Sequence, residues 1–317
     1  MIGMSIGLSF AVAMVVGPLI AGAAGLAGVF YSTSLLALVG IALVALVVPS
    51  PQQAQHHRDA GVARGAFLPA LRNADLLRLD YGIAVLHALL MACFVALPLA
   101  LQEHAGLPRE QHWWVYLAGL LLSFIGMVPL IIYAERRRRM KRVVLGAILL
   151  LALTQLLMWL SMNSLAALVV AVVLFFTAFN VLEATLPSML SKIAPAGSKG
   201  TAMGIYSTSQ FAGAALGGVL GGAVYGSFGL GGVFVCCALL AISWLAIGAT
   251  MDEPPYVTSY RLAVDPTLVR DEALLRRVLD VPGVAEAIIV AEEAAAYIKV
   301  DTQVLDREQL DRVLHPV

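Results

Sequence analysis

The chain has 317 residues, of which 60% are hydrophobic and 13% are charged, and its mean hydropathy is +0.88. A soluble globular protein carries roughly twice this charged fraction, so the composition excludes a chain that dissolves in water over its whole length. The formal net charge of +0 hides two unlike parts: residues 1–250 hold 13 Lys and Arg against 7 Asp and Glu, and residues 251–317 hold 7 against 13.

Apolar runs follow one another along the first 250 residues, each close to the ~20 residues that a membrane-spanning helix needs. We predict eight spans, at residues 2–24, 27–48, 81–102, 113–134, 143–161, 165–191, 201–223 and 231–250. The first run lacks a basic start and a small-residue cleavage site, so it is not a signal peptide. The predicted fold class is an all-α polytopic membrane protein with a small α+β domain at its C-terminal end.

The basic residues of the connecting loops alternate in number. The Lys and Arg counts are four in 49–80, one in 103–112, six in 135–142, none in 162–164, two in 192–200 and none in 226–232. Loops rich in Lys and Arg stay on the cytoplasmic side of a membrane. We therefore expect a multi-pass membrane protein with both termini in the cytoplasm; in a bacterium the membrane concerned is the inner one.

The last part of the chain has an ordinary soluble composition and follows a Pro254-Pro255 linker. Alternating and helical apolar spacings over residues 256–317 predict a cytosolic domain of the order β-α-β-β-α. The elements are expected at 260–264, 271–279, 284–290, 297–300 and around 310–314. This is a ferredoxin-like split βαβ without its fourth strand, so the domain is either incomplete or makes do with three strands.

Glu183 is the carboxylate that lies deep inside an apolar run. An ionised side chain near the bilayer centre costs roughly 2.5–3.5 kcal/mol on insertion scales, so such a residue usually faces a cavity or a partner. Asn180 lies one turn earlier on the same face, and Pro187 removes the hydrogen bond that the Glu183 carbonyl would accept. The three predict a polar cavity; the alternative is a glutamate that neighbouring helices hold and that only fixes packing.

His87, in the third span, is the other titratable group within the spans. It lies at the same depth as Glu183, roughly 6–8 Å to the cytoplasmic side of the helix midpoint at ~1.5 Å per residue. We expect Glu183 to carry a proton and His87 to titrate beside it near neutral pH; the alternative for His87 is a structural hydrogen-bond donor. Gln210, with Ser207 and Ser209, makes the middle of the seventh span polar and is a candidate substrate contact.

Two segments resemble the YajR-like branch of the major facilitator superfamily. Residues 175–188, FFTAFNVLEATLPS, are similar to the tenth helix of that branch, and the similarity continues through 199–211, KGTAMGIYSTSQF. The branch carries a C-terminal ferredoxin-like cytosolic domain, which the last part of this chain matches. In the resembled family the seventh and tenth helices, here the spans of His87 and Glu183, face the central cavity.

The first span resembles the fifth-helix antiporter motif of proton-coupled drug exporters at Gly17-Pro18 and Gly22, and departs from it at Ala13 and Ala21. Aligned in this way, the eight spans correspond to helices five to twelve of a twelve-helix family. Helices one to four are then missing, so we expect a fragment or a misassigned start. The resemblance makes Gly17 and Pro18 a bend or packing seam in a helix that changes shape during transport.

The 135–142 loop carries a pattern related to the acidic–arginine gating motif of the family. Glu135, Arg136 and Arg139 are therefore candidate gating residues, with Pro187 as a conformational one; the alternative is a loop that enforces topology and meets anionic head groups. The acidic tail opposite these basic loops suggests intramolecular docking, and an acidic surface that serves solubility is the alternative.

The resemblance implies a secondary active transporter that exports small hydrophobic or amphipathic compounds, coupled to protons, by alternating access. The sequence has no P-loop, which argues against an ATP-driven pump, and no HExxH motif, which argues against a zinc enzyme of that class; we expect a transporter and not an enzyme. The alternative is a membrane-embedded sensor that uses the C-terminal domain as a binding module. Expected partners are the bilayer, a small-molecule substrate and the proton, without nucleic acid. We expect no cofactor and no metal, and the cysteines lack the CxxC spacing that would indicate a zinc site.

Overall fold

The computed structural model describes residues 2–49, 61, 65–265, 268–269 and 271–314, so most of the loop that follows the second predicted span lies outside the described residues. Within them, six helices are long and apolar enough to cross a bilayer. They are α1 (Ile2–Leu46), α3 (Ala74–Leu99), α4 (His112–Arg136), α5 (Met140–Leu160), α6 (Leu165–Ile193) and α7 (Lys199–Ala249), and the short α2 (Phe67–Arg72) precedes α3.

Helix α3 and the first part of α7 pack backbone to backbone along a seam of small residues. Glycines of α7 face alanines of α3 at four-residue intervals: Gly213 on Ala84, Gly217 on Ala88 and Gly221 on Ala92. A Cβ atom added to Gly213 would lie 2.1 Å from the Ala84 carbonyl oxygen. Small residues at this spacing let membrane helices approach closely. The residue numbers increase in the same direction along both helices, so α3 and this part of α7 run parallel.

Helix α7 turns back on itself at Gly229, whose φ of 68° and ψ of −169° interrupt the helix. Beyond this residue the chain runs antiparallel to α3, because Trp244, near the end of α7, packs on Gly82, near the start of α3. The Tyr81 hydroxyl also lies 2.7 Å from Ser243 Oγ. Helix α7 is thus a hairpin of two arms, and only glycine adopts the conformation at its tip without strain.

Helix α1 contains the same interruption at Gly25, with φ of 67° and ψ of −172°. The sequence around the two sites repeats: GLAGVF at 25–30 and GLGGVF at 229–234. Both interruptions fall between two predicted spans. That eight segments cross a bilayer stays a prediction.

The remaining helices close the bundle around α6, which packs between α4 and α5. On one side, Gly119 of α4 allows Val172 and Phe176 of α6 to approach its backbone. On another, Trp159 of α5 lies against Gly231 at the start of the second arm of α7. The core of the bundle is therefore formed by α3 to α7, whereas the described side chains of α1 are largely exposed.

Helix α3 begins before the predicted third span because Asn73 caps it. The Asn73 Oδ1 accepts the backbone N–H groups of Asp75 and Leu76 at 3.0 and 3.1 Å, the arrangement preferred at helix starts. Asp80, which the predicted span left in the loop, therefore lies inside α3 and is buried.

The residues after α7 form a small α+β domain. Its elements are β1 (Thr258–Ala263), α8 (Glu272–Leu279), β2 (Val284–Val290), β3 (Ala295–Val300) and α9 (Arg307–Leu314). The strands form an antiparallel sheet in the order β1-β3-β2, and α8 and α9 cover one of its faces. The predicted fold class is confirmed, a helical membrane bundle with a small α+β domain; the ferredoxin-like assignment stays a prediction.

Candidate functional site

Glu183 of α6, His87 of α3 and Gln210 of α7 meet inside the helix bundle. The Gln210 Nε2 atom lies 2.8 Å from His87 Nε2 and 3.4 Å from Glu183 Oε1, and His87 Nε2 lies 3.9 Å from Glu183 Oε2. The structure thus brings together three of the four residues that the sequence suggested for a cavity. Since each comes from a different helix, the geometry of this polar cluster depends on how α3, α6 and α7 are placed.

The hydrogen bonds of His87 define its tautomer. The Gln210 amide nitrogen can only donate, so His87 Nε2 accepts. The other ring nitrogen, Nδ1, lies 3.3 Å from the Ile83 carbonyl oxygen and carries the proton. The arrangement is therefore that of a neutral imidazole, and the ring of Phe179 stands edge-on beside it at a centroid distance of 5.7 Å.

The carboxylate of Glu183 is incompletely paired. Its Oε2 atom is shielded from solvent and has no hydrogen-bond partner among the described residues, although the side chain as a whole is 34% exposed. A buried oxygen without a donor carries negative charge at a cost in free energy, and binding a proton removes that cost. The site is chemically suited to a carboxyl group that gains and loses a proton.

Asn180 lies one turn before Glu183 on α6, but its hydrogen bond is to another helix. Its Nδ2 atom donates to Ser123 Oγ of α4 at 2.7 Å, so it ties α6 to α4. Pro187 lies one turn after Glu183, and α6 continues through it to Ile193. The Glu183 carbonyl therefore lacks the N–H group that a helix would normally supply.

The sequence reasoning missed Asp80 of α3 and Tyr206 of α7. Their exposed fractions are 8% and 2%, and within the described residues Asp80 Oδ1 and Tyr206 Oη have no hydrogen-bond partner. Asp80 lies two turns before His87, and Tyr206 lies one turn before Gln210. The available signals were the Asn73 cap, which extends α3 to include Asp80, and the i, i+4 spacing that puts Tyr206 on the face of Gln210.

The predicted gating residues lie at the turn between α4 and α5. Glu135 ends α4 and pairs with Lys192 at the end of α6, where Lys192 Nζ lies 3.0 Å from Glu135 Oε2. Arg139 donates from Nη1 to Tyr133 Oη at 3.2 Å, and Arg136 is exposed. Glu135 therefore joins the ends of α4 and α6.

Gly17 and Pro18 lie within α1, before its interruption at Gly25. Among the described residues, no atom lies within 4 Å of a Cβ placed on Gly17, apart from its chain neighbours and its own helix backbone. The role of this pair as a bend or a packing seam stays a prediction.

Arg138, at the turn between α4 and α5, contacts the soluble domain. Its Nη1 and Nη2 atoms lie 3.0 and 2.8 Å from the two carboxylate oxygens of Asp301, and its backbone is left-handed, with φ of 50°. The hydrogen bond from Arg138 holds the pKa of Asp301 below its usual range. The ring of Tyr256 lies under both Arg138 and Lys192, with centroid distances of 5.3 and 5.1 Å.

A second group of contacts joins the sheet of the soluble domain to the end of α6. Lys299 Nζ, on β3, donates to the Lys192 carbonyl oxygen at 2.8 Å. The backbone N–H of Ala196 donates to Glu286 Oε1 at 2.8 Å, and Ala196 also packs against Tyr297 and its neighbours. The sheet face opposite α8 and α9 is thus the one that meets the membrane helices.

Comparison with known proteins finds similarity to membrane transport proteins. The family model described as Major Facilitator Superfamily matches residues 1–218 and 82–282, and the one described as YajR YAM domain matches residues 260–315. The chain is 46% identical over 313 residues to the inner membrane transport protein YajR of Escherichia coli (strain K12), which covers 99% of this chain and 69% of that protein.

Two proteins named as uncharacterized transporters are more distant. BU466 of Buchnera aphidicola subsp. Acyrthosiphon pisum is 30% identical over 213 residues, which cover 67% of this chain and 54% of the relative. A protein of Buchnera aphidicola subsp. Schizaphis graminum is 32% identical over 244 residues, which cover 77% and 62%. The matches thus span 54% to 69% of the length of these relatives.

Proposed function

The chain belongs to the major facilitator superfamily, and we propose that it serves secondary active transport: the proton-coupled export of small hydrophobic or amphipathic compounds by alternating access. The observation that carries the proposal is the cluster of Glu183, Gln210 and His87, from three helices, inside a largely apolar bundle. The relative YajR is named an inner membrane transport protein. We place this chain in the inner membrane as well, as a multi-pass protein with both termini in the cytoplasm.

Glu183 is the proton carrier in this proposal. When it is ionised, Oε1 accepts a hydrogen bond from Gln210 and Oε2 has no partner within the described residues. A proton bound at Oε2 removes the charge and turns this atom into a donor. An acceptor stands 3.9 Å away, Nε2 of the neutral His87. The protonated glutamate therefore competes with Gln210 for the same nitrogen atom.

This competition links proton binding to the positions of the helices. Closing the 3.9 Å gap between Glu183 and His87 to hydrogen-bond length requires a movement of about 1 Å. The movement brings α3 and α6 closer and releases the Gln210 amide of α7, which is then available to a substrate. Alternating access needs two arrangements whose populations a bound ligand shifts, and here the ligand is the proton.

Glu183→Gln tests the proposal, because the amide keeps the shape of the side chain and has no carboxyl proton to exchange. The chain is reconstituted into lipid vesicles, and ethidium serves as a hydrophobic probe whose movement under an imposed pH gradient is followed by fluorescence. We expect E183Q to fall to the rate seen without a gradient. Glu253→Gln is the matched control, since Glu253 is an exposed acid beyond the end of α7. Gradient-driven movement that survives in E183Q contradicts the proposal.

We also propose that the soluble domain docks on the turn between α4 and α5 and on the end of α6. The ion pair between Arg138 and Asp301 and the bond from Lys299 to the Lys192 carbonyl support it. Exposed ion pairs are individually weak and are screened by salt, which makes such docking reversible. Because it joins the ends of three helices, and α6 carries Glu183, docking resists their separation during transport.

A groove in the soluble domain supports a second candidate function, that of a sensor. A cavity of about 290 Å³ opens between the sheet and α9, lined among others by Leu262, Ile298, Leu310 and Leu314. This volume lies near the lower end for small-molecule sites. Saturable binding of the apolar probe anilinonaphthalene sulfonate by the whole chain, lost in Leu262→Glu, together with no gradient-driven ethidium movement, would favour this function.

A further inference from the structure

A second carboxylate lies buried in the same bundle. Asp80 of α3 is 8% exposed, and its Oδ1 atom has no hydrogen-bond partner within the described residues. It stands seven residues before His87, which is two helical turns and about 10 Å along the same face of α3. A carboxylate that only held helices together would be expected to have its oxygens paired. Asp80 instead has the same incomplete pairing as Glu183.

Tyr206 of α7 is a third buried polar group in this part of the bundle. Its side chain is 2% exposed, and within the part of the chain that the structure describes its hydroxyl has no hydrogen-bond partner. Tyr206 lies one turn before Gln210, which contacts Glu183, and the contact of Gly213 with Ala84 sets this stretch of α7 beside the start of α3, which carries Asp80. Three buried polar atoms thus stand without partners: one oxygen on each acid, which can accept, and one phenol, which can donate.

Two of the neighbouring cations are paired with other acids. On α3, Arg78 pairs with Asp75 at 2.6 Å, and the Tyr81 hydroxyl lies 2.7 Å from Ser243 Oγ of the second arm of α7. On the other helices that enclose the site, the charged and titratable groups toward the same end are Arg72 of α2, Lys199 of α7, and Lys192 of α6 with its partner Glu135. Of the side chains inside the bundle, Gln210 and His87 contact Glu183, and Tyr206 lies one turn before Gln210.

We propose that Asp80 is a second proton-binding carboxylate, joined to Glu183 through the hydroxyl of Tyr206. The inference rests on the proposed proton coupling and extends it toward the start of α3. A phenol has one hydrogen atom to donate, so it serves one ionised carboxylate at a time. The other acid then holds its proton.

The proton passes from Asp80 to Glu183 through Tyr206 in two transfers that balance. Tyr206 gives its hydroxyl proton to Glu183 and takes the proton of Asp80, so that Asp80 becomes ionised, Glu183 becomes neutral and the phenol is unchanged. The reverse sequence returns the proton to Asp80. In this structure the hydroxyl hydrogen-bonds to neither acid, so a swing of the phenol ring toward one of them is the motion that the step requires.

Infrared difference spectroscopy between acidic and alkaline buffer tests the inference on the whole chain in lipid, because it detects protonated carboxyl groups without the need for transport. We expect Asp80→Asn to lose part of the carboxylic acid band, E183Q to lose another part, and the double variant to lose both. Asp80→Glu should restore the band. Asp75→Asn is the matched control, since Asp75 lies on the same helix and pairs with Arg78.

Tyr206→Phe should keep both acid signals but shift their frequencies, because the shared donor is lost; Tyr225→Phe, an exposed tyrosine on the same arm of α7, should shift neither. In vesicles, Asp80→Asn should abolish gradient-driven ethidium movement while the protein keeps its thermal stability. A spectrum of Asp80→Asn equal to that of Asp75→Asn overturns the inference and leaves the role of Glu183 standing. Transport that survives E183Q, in contrast, overturns the proposed function itself.

Discussion

The seam between α3 and the first arm of α7 predicts opposite effects for one substitution at two adjacent glycines. A Cβ atom on Gly217 would lie 2.4 Å from the Cα and carbonyl oxygen of Ala88, whereas a Cβ on Gly218 has no such neighbour within 4 Å in the part of the chain that the structure describes. Both residues lie inside a helix, where alanine is favoured over glycine by ~1 kcal/mol. The variants Gly217→Ala and Gly218→Ala therefore differ in the seam alone.

The close approach of the two backbones determines how much stability Gly217→Ala should lose. Non-bonded carbon atoms prefer ~3.5–4.0 Å, so the 2.4 Å approach to Ala88 falls short by more than about 1 Å. The obstructing atoms belong to the backbone, which has no rotamer to change, and the helices have to move apart. Overpacking of this kind costs ~1–3 kcal/mol, which exceeds the ~1 kcal/mol gained in helix propensity. We expect G217A to be destabilised and G218A to be neutral or slightly stabilised.

Thermal unfolding in detergent measures the difference. A thiol-reactive dye that fluoresces on reaction reports unfolding through Cys93 and Cys237, which are buried in the fold. The midpoint of G217A should lie below those of the unaltered chain and of G218A. A midpoint for G217A equal to or above that of G218A would refute the close approach of the two helices and the parallel seam inferred from it.

Two further predictions concern the hairpin tip and the docked domain. Gly229→Ala places a Cβ in a conformation that glycine alone adopts without strain, which should destabilise the fold by ~1–3 kcal/mol. Gly226→Ala is the control, because Gly226 lies at a helical and open position, and it should not lower the stability. Equal thermal unfolding midpoints of the two variants would contradict the strained turn at Gly229. Because the pKa of Asp301 is lowered, its pair with Arg138 contributes above the ordinary carboxyl range near pH ~4 and is lost as pH falls through the lowered pKa. Distances between spin labels on the α4–α5 turn and on the soluble domain should lengthen on acidification, at high salt and in Arg138→Gly. In this variant glycine keeps the left-handed turn and removes the charge. Unchanged distances under all three conditions would argue against electrostatic docking.

The polar cluster was predictable in outline from the sequence. Glu183, His87 and Gln210 stand within apolar runs, and a polar side chain surrounded by lipid or apolar helices has to find a partner. Few such side chains exist in this chain, so they find one another. Which atoms meet, and the neutral tautomer of His87 that follows, depended on the rotation of three helices about their axes, and hydropathy does not report rotation.

The misses have local causes. Hydropathy places Asp80 in a loop because the apolar run of the third span starts only at residue 81. The Asn73 cap starts the helix at Ala74, so Asp80 lies inside it. Arg138, one of a run of four arginines, is not distinguished from its neighbours by the sequence, yet it reaches the soluble domain; the gating role of Arg136 and Arg139 stays a prediction. Arg138 follows the end of α4 in a left-handed conformation. A run of four arginines does not show which side chain such a turn directs toward the soluble domain.

The two interrupted helices resemble copies of one hairpin. Gly25 and Gly229 have nearly the same dihedral angles, and similar residues follow them in the sequence. The spacing that aligns these glycines also aligns Gly17 with Gly221. A Cβ on Gly221 would stand 2.9 Å from the Ala92 Cα, whereas Gly17 has open space. Duplicated halves can thus keep one shape while tolerance of larger side chains diverges between them, and in this chain a substitution harmless in the first copy says nothing about its counterpart in the second.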